Sequence, residues 1–135
     1  MKIAIRYYTQ TGNTKKLAQA IAEALGVEAK DITCPLEEKT DILFLCNSVY
    51  WAGIDRRVKA FVNANADKIG TLVNVSTAAM IESTYKQMQS VAADAGVKLS
   101  AQEFHCRGKF TALHASHPDV EDLENVRAFA EKVTK

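Results

Sequence analysis

Two hydrophobic rhythms alternate along the chain. Short runs of consecutive apolar residues give way, after polar segments, to stretches in which apolar side chains recur every three or four positions. The first rhythm suits strands and the second suits amphipathic helices. Lys2 to Tyr8 reads as a first strand and ends at the polar segment Thr9 to Thr14. From Asn13 the period changes: Leu17, Ala18, Ile21, Ala22 and Leu25 fall at helical spacing, and Gly26 stands where a helix C′ glycine belongs. Val27 to Thr33 reads as a short second strand. Asp41 to Val49 is nearly continuous apolar sequence, as expected of a strand buried on both faces of a parallel sheet. A helix from about Asp55 would bury Val58, Phe61 and Val62. Ile69 to Ser76 reads as a fourth strand. A helix from about Ser83 to Ala95, ended by Gly96, would bury Tyr85, Met88, Val91 and Ala92. Val97 to Cys106 is less apolar and reads as a fifth strand at a sheet edge. A last helix from about Val120 would bury Leu123, Val126, Phe129, Ala130 and Val133.

Strands alternating with helices predict an α/β fold, a doubly wound parallel sheet with helices on both faces. Residues 1–135 show no repeat, low-complexity tract or linker and form one domain. Five strands in this space fit the order 2-1-3-4-5. The chain then reverses direction between the first and third strands, and ligands of such sheets bind in the crevice that opens there, at the carboxyl ends of the strands. Two loops flank that crevice, Thr9 to Thr14 and Ser48 to Gly53, and Ser76 to Met80 lies next door. Three loops are therefore where chemistry is expected.

Composition narrows the partners. The formal charge of +1 gives no field that argues for nucleic acid or an anionic membrane. No stretch approaches the ~18 apolar residues of a membrane span. Met1-Lys2 leads straight into a strand rather than a signal sequence, so a cytoplasmic location is expected. Cys34, Cys46 and Cys106 are far apart and form neither a disulfide framework nor a zinc site; Cys46 reads as core. His114 and His117 stand three apart, but Pro118 follows and no further ligand completes a set, so they read as loop residues. Arg107 reads as a solvated edge charge.

Thr9-Gln10-Thr11-Gly12-Asn13-Thr14 places three hydroxyls and a glycine between a strand and a helix start. The first amides of a helix lack internal partners and carry partial positive charge, so a phosphate can accept from them while the hydroxyls add donors. The alternative is that Thr11 or Asn13 simply caps the helix. Lys15 and Lys16 oppose the helix dipole by about 0.3–1 kcal/mol each unless an anion is bound, or else are merely solvated. Ser48-Val49-Tyr50-Trp51-Ala52-Gly53 carries two adjacent aromatics, which cannot easily both be core. Ser76-Thr77-Ala78-Ala79-Met80 offers hydroxyls and backbone amides, or is a simple helix entry. The loops hold no G-x-G-x-x-G or G-x-x-x-x-G-K-[ST] fingerprint and no Ser-His-Asp or Cys-His arrangement. The acidic residues of a receiver domain are also missing, since Tyr8-Thr9 and Asn47-Ser48 occupy their places.

Thr9, Thr11, Gly12 and Thr14 match every fixed position of [ST]-x-T-G-x-T, the phosphate loop of the flavodoxin family, and the chain resembles that family's short-chain kind over essentially its whole length. The resemblance implies flavin mononucleotide (FMN) as cofactor, with Thr9 to Thr14 around its phosphate. It implies Tyr50 or Trp51 stacked on the isoalloxazine, within the loop from Ser48 to Gly53. It also implies Ser76, Thr77 and Ala78 near the pyrimidine edge, although the aromatic and acidic residues frequent there are absent until Glu82. The function implied is one- or two-electron transfer between a reductase and an acceptor, both redox partner proteins. An NAD(P)H-dependent flavin or quinone reductase and a flavin-less interaction domain are the alternatives. Near-neutral charge departs from the acidic habit of dedicated flavodoxins, and Arg56, Arg57 and Lys59 follow the second loop directly.

Overall fold

The computed structural model describes residues 1–8, 12–49, 54–78, 84–107 and 120–135. The elements run β1 (Ile3–Tyr7), α1 (Asn13–Leu25), β2 (Ala29–Asp31), β3 (Thr40–Val49), α2 (Arg56–Asn65), a 3-10 turn (Ala66–Lys68), β4 (Ile69–Ala78), α3 (Tyr85–Ala95), β5 (Lys98–Leu99), β6 (Phe104–Arg107) and α4 (Val120–Val133). All the pairings are parallel and the order is β2-β1-β3-β4-β5, with β6 also on β4. This is the doubly wound order expected from the sequence. Among the described residues no helix is long and apolar enough to cross a membrane.

The two faces of the sheet hold separate cores. On one side Leu17, Ala18 and Ile21 of α1 and Val126 and Ala130 of α4 close over Ile5, Phe44, Cys46, Val73 and Val75. On the other, Val58, Phe61 and Val62 of α2 and Met88, Val91 and Ala92 of α3 cover Ala4, Leu43, Leu45 and Leu72. Leu43, Phe44, Leu45 and Cys46 are all fully buried, which is why the third strand reads as an unbroken apolar run. Gly26 ends α1 at φ 67° and Gly96 ends α3 at φ 72°, the left-handed cap that residues with a Cβ resist. Leu123, Phe129, Val133 and Tyr85 are only half-buried.

The fifth strand is divided. Leu99 pairs with Leu72 and Phe104 with Val75, so five steps of the edge chain match three of β4. The extra residues turn outward: the Gln102 amide bonds Ser100 Oγ, and Tyr85 Oη donates to the Ser100 carbonyl at 2.8 Å. An edge strand tolerates such a break because only one neighbour depends on its register.

The passage from β2 to β3 carries no helix. Residues 32–39 cross the β1 face as irregular chain, which would leave backbone carbonyls unsatisfied. Arg6, only 6% exposed, supplies the missing donors: Nε reaches the Cys34 carbonyl at 2.8 Å, Nη2 that of Pro35 at 3.3 Å, and Nη1 that of Ile5 at 3.1 Å. Burial pulls its pKa below the ordinary value, while Cys34, Glu37 and Glu28 act in the opposite direction. Asn65 Oδ1 accepts from the Leu36 amide, and Lys68 Nζ donates to the Leu36 carbonyl. Irregular chain is thinner cover than a helix, and a groove of about 730 Å³ remains between this crossover and α2.

Replacing Arg6 by Met should lower stability by about 1–3 kcal/mol, the cost of buried polar groups left unpartnered. Arg6→Lys should recover only part, because an ammonium cannot reproduce the planar fork. Urea unfolding midpoints of the two variants check this; an unchanged midpoint for Arg6→Met would refute the clamp.

Candidate functional site

In a parallel sheet every helix begins where a strand has ended, so α1, α2 and α3 all open toward the carboxyl edge of the sheet. Gly12 is the N-cap of α1 at φ 88°, ψ −6°. The Lys16 amide makes the first helical bond, to the Gly12 carbonyl at 3.2 Å. The amides of Thr14 and Lys15 precede it and have no acceptor within the helix. The first turn of α1 contains no acid. Asn13 lies inside the helix, so it is not the capping residue that one reading of the sequence made it.

Gly12 is required first by its backbone conformation. Among the described residues a Cβ there would meet no atom within 4 Å. The constraint is the left-handed backbone, which side chains resist. The open space in front of it is where an anion can approach.

Thr14 is fully buried, yet its Oγ1 has no hydrogen-bond partner among the described residues. Ser48, at the end of β3, is 6% exposed and its Oγ is likewise unpartnered. Buried hydroxyls are ordinarily satisfied. Two that are not, at the ends of elements facing one edge, suit a polar ligand. Ser48 and Val49 belong to β3, and Ser76, Thr77 and Ala78 to β4, so the second and third loops start later than the sequence indicates. Ser76 and Thr77 are buried. Thr9, Gln10, Thr11, Tyr50, Trp51, Ala52, Gly53, Ala79, Met80, His114 and His117 lie outside the described residues.

Beneath these loops is a polar cluster that sequence reasoning missed. Asn47 Nδ2 donates to Asn74 Oδ1 at 2.8 Å, Asn74 Nδ2 to Thr84 Oγ1 at 3.0 Å, and the Thr84 hydroxyl to Asn47 Oδ1 at 2.7 Å. All three residues are fully buried. The ring is closed, so each group both gives and accepts, and such chains strengthen cooperatively. It joins the ends of β3 and β4 to Thr84, the N-cap of α3. The visible signal was an asparagine next to the apolar run of each of two strands.

Burial raises the Cys46 thiol well above its ordinary range. Among the described residues no cluster of three His, Cys, Asp or Glu side chains assembles that would hold a metal.

A family model described as the flavodoxin domain matches residues 4–126. The chain belongs to the flavodoxin family. No curated protein matches it by sequence. Its fold is similar to that of a flavodoxin from the domain Archaea, at 16% identity and TM-score 0.74 over 100% of both chains. It is also similar to oxidised Flavodoxin 1 from Bacillus cereus, at 18% identity and TM-score 0.68 over 99% of this chain and 97% of that one. Rubredoxin oxygen:oxidoreductase from Desulfovibrio gigas contains the same fold: 96% of this chain aligns with 34% of that one, at 13% identity and TM-score 0.72.

In this flavodoxin, Thr84→Val keeps the shape of the side chain and opens the ring, leaving Asn47 Oδ1 and Asn74 Nδ2 without Thr84. Stability should fall by about 1–3 kcal/mol per group left unsatisfied, and Thr84→Ser should retain most of it. Chemical denaturation of both variants decides; equal losses for Val and Ser would show that the methyl, not the hydroxyl, matters.

Proposed function

We propose that this flavodoxin binds FMN and carries electrons between a reductase and an acceptor protein. The observation that supports it most is the buried, unpartnered Thr14 hydroxyl beside a left-handed Gly12, at a helix start free of acid. A dianionic phosphate fits that donor set: helix amides, a hydroxyl and space for close approach. The residues that would hold FMN are Thr9 to Thr14 at the phosphate, Tyr50 or Trp51 against the ring, and Ser48, Ser76, Thr77 and Ala78 around its polar edge. Bound FMN supplies one- or two-electron redox chemistry, and the protein supplies binding, orientation and electrostatics.

One FMN should bind per chain, and riboflavin should bind more weakly by roughly 10–150-fold for each charge-assisted hydrogen bond lost with the phosphate. Fluorescence titration with both flavins tests this; equal affinities would remove the phosphate site. Steady-state turnover of NADPH with a quinone by the protein alone would instead favour a reductase.

Gly12→Val should cost about 1–2 kcal/mol in folding through its positive φ and weaken FMN by more than that loss explains. Titration of the folded variant, set beside its denaturation curve, separates the two effects. An unchanged dissociation constant would contradict the placement of the phosphate.

A further inference from the structure

Six cations open three helices at one edge of the sheet: Lys15 and Lys16 on α1, Arg56, Arg57 and Lys59 on α2, and Lys86 on α3. All six are exposed, and none is in an ion pair among the described residues. The first turns of these helices contain no acid. Local physics prefers the opposite arrangement, since a cation at a helix N-terminus opposes the dipole. The whole chain carries only +1, so the charge is segregated rather than general. Two carboxylates lie beside the start of α2 and keep their charge: Asp55 Oδ1 accepts from the Arg57 amide, and Asp31, which lines the groove next to α2, accepts at Oδ1 from the Thr33 amide. Glu121 and Asp122 open α4, which packs beside α1 on the face of the sheet opposite α2 and α3.

A bound phosphate would account for Lys15 and Lys16. It would not account for the four cations on α2 and α3. Arg57, unlike Lys59 on the opposite flank of α2, lines the groove of about 730 Å³ left by the helix-free crossover. Its wall on α2 is Arg57, Ala60, Phe61 and Ala64, one helical stripe, and Tyr8, Ile32 and Pro35 face it. Arg57 sits at the groove with a hydrogen bond to Tyr8 Oη, its guanidinium 5.6 Å from the Tyr8 ring centre.

We propose that this edge docks an acidic face of a partner protein, with one apolar side chain of the partner seated in the groove along α2. Charge complementarity selects the face and speeds encounter. The groove supplies the desolvated anchor that such a contact needs. A nucleic acid would use the cations but leave the apolar groove unfilled. That the partner exchanges electrons rests on the proposed function; the docking chemistry does not.

The test is an NMR titration of the protein, with and without FMN, in low salt. The probes are a capped peptide of six glutamates around a central leucine, its lysine counterpart, the glutamate peptide with central glycine, and an oligothymidylate. The leucine–glutamate peptide should shift the amides of Ile32, Ala60 and Ala64. The lysine peptide should shift none of them. The pair Arg56→Glu and Lys59→Glu should weaken binding by about tenfold or more, and raising salt well past the Debye regime of ~0.15 M should do likewise. Ala64→Phe, which fills the groove, should reduce the leucine peptide to the level of the glycine one. Equal binding of the lysine peptide, shifts confined to α4, no binding of the glutamate peptide in either form, or indifference to the charge reversal would overturn the proposal. Tighter binding of the oligothymidylate would overturn it in favour of nucleic acid. Peptide binding by a protein that takes no FMN would leave the docking face standing and remove only its redox role.

Discussion

Parallel strands impose the constraint on which the rest of this structure depends. Each strand must be followed by a return over the sheet, so every strand end and every helix start falls along one edge. Unpartnered helix amides, buried hydroxyls and exposed cations therefore gather on one side of the molecule. The strands need not be special for that edge to be polar and receptive. Gly12 and Thr14 of α1 and Ser48 of β3 come from elements separated in sequence, and the direction of the strands alone brings them to the same end.

Holding that edge in place is a second problem, because loops at strand ends have few ladder bonds. The ring of Asn47, Asn74 and Thr84 meets it by tying β3, β4 and the start of α3 through side chains rather than backbone. Polar groups so deeply buried are costly unless each finds a partner, and here each does. Arg6 plays the equivalent part for the irregular crossover, where its fork replaces the hydrogen bonds a helix would have made. The consequence is a face of the sheet less fully covered than its neighbours. The groove beside α2 is thus a by-product of how one connection is built.

The chemistry of the edge is defined as much by composition as by position. Hydroxyls, amides and cations gather there, while the buried Cys46 thiol is held protonated in the core. Such a set can bind and orient an anionic, planar group and leave the reaction to it.

Much of this was readable in the chain. The periods of apolar residues located four helices, and the doubly wound order followed from their alternation with strands. The change of period at Asn13 and the glycine at Gly26 marked the two ends of α1, and the all-apolar run before Asn47 announced a strand covered on both faces. The expectation of a phosphate loop rested on hydroxyls and a glycine within one turn of chain. What tertiary structure alone decided involves partners far apart. Arg6 finds its acceptors about 28 residues away, and Asn47 closes its ring with residues 27 and 37 positions on. The division of the last strand depends on how Tyr85 meets Ser100 across α3. Periodicity, caps and turns are local and are written into short windows of sequence. A buried hydrogen bond between distant residues exists only once packing has brought its two ends together, and no window of the chain contains both.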